Sequence, residues 1–172
     1  LLKQAYPDLT PLELKALAMG TAKVLSSEKN EVYPVSRQGA GRIQIDKALE
    51  SEVLALPSAV SLGELTLESR KMLARTLELK NISKRLVKLR VSLETRYPNN
   101  LRMLGPAEVS IEPESTASSS LRFIVDSWQL PDDSNEVDGF IKFKNERDEV
   151  VLRVPVLAVI NKVSRVKVQN LF

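Results

Sequence analysis

Two hydrophobic periods divide this chain. Up to residue 52 the apolar positions recur at helical spacing; from Val53 onward they alternate with polar ones. Thr10-Pro11-Leu12-Glu13 predicts a helix start. Thr10 can cap, Pro11 suits the first helical position, and Glu13 completes a capping box. Leu14, Leu17 and Ala18 then share one face, widened by Ala16, Met19 and Ala22, with Glu13 and Lys15 on the wetter side. Gly20 marks fraying, close packing or the end of that helix. The preceding "LLKQAYP" reads as the tail of an earlier helix, broken at Pro7 and Asp8.

Residues 26–31 are polar and loop-like. In "PVSRQGAGRIQIDKALE" Gly39 and Gly41 flank Ala40, a spacing that suits tight backbone packing or positive φ. Ile43 and Ile45 alternate with Arg42 and Gln44 as a brief extended piece, and Asp46 is placed to cap a short helix through Ala48 and Leu49. As a phosphate loop this Gly-x-Gly fails: it lacks the third glycine, the preceding strand and the acidic residue of a dinucleotide site.

Beyond Val53 the chain predicts strands. Val60 to Leu67 is a linking or first strand. "KMLARTLELKN" puts Leu73, Leu77 and Leu79 on one face, with Ala74, Thr76, Glu78 and Lys80 on the other. Asn81-Ile82-Ser83 supplies a turn. "LVKLRVSLE" points Val87, Leu89, Val91 and Leu93 inward. Val109 to Ile111, Leu121 to Val125, Gly139 to Phe143 and Val150 to Val159 follow, with Val163 to Val168 as a last candidate. Short alternating strands with Pro-, Gly-, Asn- and Ser-rich connections predict a mainly β fold, an antiparallel immunoglobulin- or fibronectin III-like β-sandwich. The predicted division is an α-helical segment over 1–52 and the sandwich over 53–172.

Composition narrows the chemistry. The 172 residues are 43% apolar and 27% charged, enough apolar material for a core. The chain has no Cys and no His, which excludes disulfides, thiolate nucleophiles, a His base and the usual zinc sites. A Ser-His-Asp triad cannot be completed from these residues alone. The net charge of +3 is dispersed and aromatics are only 5%, against nucleic-acid binding. The most apolar run, Val150 to Ile160, is too short to span a bilayer and carries Arg153 and Pro155.

The first fifty residues resemble the end of the catalytic domain of subtilisin-like serine proteases, the subtilases. In that family a Gly-Thr-Ser motif starts a buried helix that runs into an Ala-Leu-Leu-x-Gln-x-x-Pro segment. A Thr/Ser-Pro-x-Glu helix, a Met-x-Thr-Ala box and a Gly-x-Gly-x-(Val/Ile) turn follow. Leu1, Leu2, Gln4, Pro7, Thr10, Pro11, Glu13, Lys15, Met19, Thr21 and Ala22 match the first block. Gln38, Gly39, Gly41, Ile43, Ala48 and Leu49 match the second. The later strands are similar to the fibronectin-like domain that follows the catalytic domain in larger subtilases, including cell-envelope proteases.

The resemblance implies a C-terminal fragment of a serine endopeptidase whose nucleophile lies upstream of Leu1, and it implies secretion or the cell envelope. No catalytic, cofactor-binding or metal-binding residue of the family maps onto this chain. Ser26, Ser27 and Ser36 match no nucleophile motif. The implied partners are the rest of the protease and, in the parent, protein or peptide substrates. For the first fifty residues three fates stay open: pairing with another chain (including self-association through exposed helices), folding onto the sandwich, or staying tied to a separately cleaved catalytic part. The alternative is a non-catalytic binding or assembly module with an N-terminal helical docking arm.

Three side-chain groups remain. Asp132, Asp133, Glu136 and Asp138, beside Ser134 and Asn135, could hold calcium. Yet placing Gly139 at the sixth position of an EF loop puts Ser134 first and Asn145 last, which breaks that pattern, so a solvated acidic turn is preferred. Trp128 is expected in core or inter-domain packing. Arg37 and Arg42 bracket the glycine turn and are expected to make salt bridges within the catalytic domain rather than bind an anion.

Overall fold

The structure, a computed structural model, describes residues 1–67, 70–127, 130 and 135–162. Among the described residues four short helices precede nine strands: α1 (Leu2–Ala5), α2 (Pro11–Gly20), α3 (Val35–Gln38) and α4 (Ile45–Glu50). The strands are β1 (Val53–Leu56), β2 (Val60–Leu67), β3 (Arg70–Asn81), β4 (Val87–Thr95), β5 (Leu101–Leu104), β6 (Glu108–Ile111), β7 (Thr116–Asp126), β8 (Glu136–Lys144) and β9 (Val150–Lys162).

The strands form two sheets in the orders β1-β3-β7-β5 and β2-β9-β8-β4-β6. They enclose one core in which Leu77, Leu79, Leu121, Phe123, Ile141, Phe143, Leu152 and Val156 are fully buried. This is the immunoglobulin-like β-sandwich that the alternation predicts. The alternating residues fall as expected: Leu77 and Leu79 inward on β3, Val87 and Leu89 inward on β4.

Four expectations need correcting. One pair is parallel, β2 with β9. Its origin is in β1, which pairs with β3 over Val53 to Leu56 before Pro57 interrupts the ladder. A proline has no N–H to continue it, and the chain crosses to the opposite sheet as β2. The alternation does not reveal β1, which is apolar at all four positions, or the four-residue β5. Asp46 lies inside α4 rather than at its cap; Gln44 precedes the helix and makes no side-chain cap bond. Glu13 is 8% exposed, not on the wet face, because α2 buries Glu13, Ala16, Leu17 and Gly20. The proposed last strand over 163–168, Trp128, and Asp132, Asp133 and Ser134 lie outside the described residues.

The glycine turn uses both freedoms expected of it. Gly39 ends α3 at φ 60°, and Gly41 has φ 112°. A Cβ on Gly41 would lie 2.3 Å from the Lys23 carbonyl oxygen, with which Arg42 N–H pairs at 2.9 Å. Gln38 completes the clamp: its Oε1 accepts from Leu25 N–H at 2.8 Å, and its Nε2 donates to the Tyr33 carbonyl at 2.5 Å.

Asn81 makes the β3–β4 turn. Fully buried, it donates through Nδ2 to the carbonyls of Arg85, Ile111 and Glu112, and its Oδ1 accepts from Ser83 N–H at 2.9 Å. Asn81→Ala strands those carbonyls, at a cost of about 3 kcal/mol. Urea unfolding should show that loss with an unchanged m-value; a loss below about 0.5 kcal/mol, the usual surface effect, would refute this role. Gly41→Ala should also lower the melting temperature, whereas Ala40→Gly should act only through flexibility.

Candidate functional site: the seam between helices and sandwich

β1 alternates as a strand must, but both of its faces are apolar. Val53 and Ala55 enter the sandwich core. Leu54, fully buried, and Leu56 enter a second, smaller core with Leu9, Ala16, Leu17 and Ala48. The N-terminal helices therefore lie on the outside of the β1-β3 sheet edge. Gly20 brings the end of α2 down onto Leu152, close enough that a Cβ would meet that side chain.

Two charged clasps lock this seam. In the first, the capping box is shared with the sheet. Thr10 N–H and Oγ1–H both donate to Glu13 Oε2 at 2.8 Å, while Glu13 Oε1 accepts from Lys80 Nζ at 2.5 Å. The Lys80 ammonium and the two Thr10 donors hold the Glu13 carboxyl down, from 4.5 to about 2.

The second clasp centres on Asp138, 2% exposed on β8. Its Oδ2 accepts from Val35 N–H at 2.5 Å, at the start of α3. Its Oδ1 accepts from Arg96 Nε at 3.1 Å and Nη2 at 2.9 Å. Nearby, Ser36 Oγ donates to Glu136 at 2.8 Å. A carboxylate this buried needs its partners, and one of them is supplied by the N-terminal segment. The calcium reading offered Asp138 and Glu136 as ligands. The preferred solvated acidic turn does not hold for Asp138 either: it is buried, and both of its oxygens are engaged in the seam. Among the described residues no group of three or more acidic side chains is arranged to hold a metal ion.

Between the 24–33 loop and the outer face of β4, β8 and β9 lies a cleft of about 490 Å³. Tyr33 and Phe140 give it apolar walls, and Arg96, Lys142 and Arg153 give it cations. Lys142 pairs with Glu94 and Arg96 with Asp138. Arg153, the register partner of Lys142, makes no hydrogen bond or salt bridge with a described residue. Burial pushes its guanidinium below the usual arginine range, and the charge of Glu94 offsets this only in part.

The sequence singled out the glycine turn, and the structure makes it the frame that carries the 24–33 loop. Arg37 and Arg42 are exposed and make no side-chain hydrogen bond or salt bridge with a described residue. Lys80, on the polar face of its predicted strand, and Arg153, inside the most apolar run, are the residues sequence reasoning missed. The available signal was a charge embedded in an apolar run, as in "VVLRVPV" and "VDGFIKF".

No protein-family model matches the chain. It is similar to the minor extracellular protease Vpr of Bacillus subtilis, with 26% identity over 165 residues, 94% of this chain. The match covers 20% of that protein, so the chain spans about a fifth of its curated relative. Among solved structures, it is similar to the CupB2 chaperone of Pseudomonas aeruginosa (17% identity, TM-score 0.42, 62% of this chain and 55% of that one). It is also similar to PapD-like domain 7 of human CEP192 (15% identity, TM-score 0.42, 66% of this chain and 88% of that one).

The Glu13 clasp makes a pH prediction. A carboxyl depressed in the folded state stabilises fully above 4.5, and that stabilisation is lost as the pH falls toward 2. Glu13→Gln should cost about 2 kcal/mol at neutral pH and flatten the stability profile across that window. Denaturation midpoints from pH 2 to 7 measure both; parallel profiles for the two proteins would count against the clasp.

Proposed function

We propose that this chain is the C-terminal piece of a subtilisin-like serine endopeptidase. In this reading residues 1–52 close the catalytic domain and residues 53–172 form an accessory sandwich that stabilises it or positions substrate. The parent hydrolyses peptide bonds by acyl transfer through a Ser-His-Asp triad that lies outside this chain. Its setting is secreted; no helix among the described residues is long and apolar enough to cross a membrane.

The observation that carries the reading is the ordered pair of motif blocks in the first fifty residues, within a match to an extracellular protease that runs over 94% of the chain. Surface chemistry supports it. Leu12 is 67% exposed and Ile43 59%, both within the motif blocks, and Arg37 and Arg42 are exposed with no side-chain partner among the described residues. Apolar and cationic positions of this kind suit a face that a larger catalytic domain covers. The seam gives the segment a mechanical role: the clasps at Glu13 and Asp138 would couple the catalytic core to the sandwich.

The parent chain tests this. The coding sequence upstream of Leu1 should hold a Gly-Thr-Ser motif, with Asp and His motifs further back, and the whole protein should react with a fluorophosphonate serine probe. Removing residues 53–172 should leave a labelled but less heat-resistant enzyme. Removing residues 1–172 should abolish labelling. An unrelated upstream domain that takes no label would instead establish a binding module with a helical docking arm.

A further inference from the structure

The cleft beneath the 24–33 loop has a chemistry that neither clasp uses. We infer that it binds the C-terminal carboxylate of a peptide whose last side chain is apolar, with Arg153 as the carboxylate's partner.

The argument rests on charge and shape. Six charged residues line the cleft: Glu31, Glu94, Arg96, Asp138, Lys142 and Arg153. Two opposite-charge pairs account for four of them, Arg96 with Asp138 and Lys142 with Glu94. Glu31 sits exposed on the loop, in water, where its charge needs no partner. Arg153 is half-buried on the sheet, facing Lys142 across the β8–β9 register. A guanidinium partly out of water offers a planar fork of donors, and the matching acceptor is a carboxylate held by two parallel hydrogen bonds. Lys142 on the neighbouring strand is already neutralised by Glu94, so the carboxylate's charge falls to Arg153.

The rest of the cleft selects what carries that carboxylate. Val24, Tyr33 and Phe140 surround the cations with apolar surface. At about 490 Å³ the space falls in the range of small-ligand sites and suits a few residues of peptide. An acidic side chain within a continuing chain would need exits for two strands of backbone, whereas a chain end needs one. The wall is also built from both units, the loop above and the sheet below, so occupancy and seam closure favour each other.

This rests on the protease reading only for the source of such peptides, since hydrolysis of a peptide bond creates a new C-terminal carboxylate. Binding is tested on the 172-residue chain itself, and its outcome is independent of the upstream sequence. The probes are N-acetyl-Ala-Ala-Leu with a free carboxylate and the same peptide as its C-terminal amide, each titrated into ¹⁵N-labelled protein.

The acid should shift the amides of Tyr33, Phe140 and Arg153 saturably, with Kd of order 1 mM or below. The amide should bind at least about tenfold more weakly. Arg153→Gln should lose the preference for the acid, and Arg153→Lys should retain part of it. Glu31→Gln should bind the acid as well as the native protein or better. Equal binding of acid and amide, shifts scattered away from the cleft, or no saturation by about 10 mM would overturn the inference. If Arg153→Gln fails to fold, the acid-against-amide comparison on the native chain still decides it.

Discussion

A strand that is apolar on both faces cannot sit at the outside of a protein. β1, with Val53 and Ala55 in one core and Leu54 and Leu56 in another, imposes that constraint here. A sandwich needs only one face of each sheet covered. This one carries a second layer, and the helices before it supply that layer. The two cores meet across a single short strand, so the helical segment and the sandwich are adjacent in packing as well as in sequence.

Apolar contact alone would let the helices slide, and the charged clasps fix their position. Glu13 serves two elements at once: it caps α2 through Thr10 and reaches the sheet through Lys80. Asp138 does the same from the other side, joining Val35 of the segment to Arg96 of the sandwich. Buried charges of this kind contribute little net stability, but each geometry that leaves one unpaired is heavily penalised. They therefore specify register more than they add strength. The glycine turn and Gln38 then hold the 24–33 loop over the sheet, which creates the cleft and leaves Arg153 at its wall without an acceptor among the described residues.

Much of this was legible in the chain. The capping box at Thr10 and Glu13 is a local device and forms as the spacing predicts. Gly41 needs its positive φ because of a turn within twenty residues. The long strands β3, β4 and β9 carry enough alternation to declare their inner faces. β1 does not, because all four of its residues are apolar, and β5 spans only four residues. The parallel β2–β9 pair was hidden for another reason: no local pattern records which sheet a strand joins after a proline break.

Sequence by itself determined the local geometry and the class of fold, because capping, turn chemistry and period-two burial act between residues close in the chain. It also removed His and Cys chemistry outright. Tertiary structure alone decided the meaning of the charges. Glu13 and Lys80 are 67 positions apart, and Val35 and Asp138 are 103 apart. A lysine on a polar strand face looks solvated until a helix is laid over it. Whether a charge is paired, buried or left open depends on which distant surface covers it, and only the folded chain brings those surfaces together.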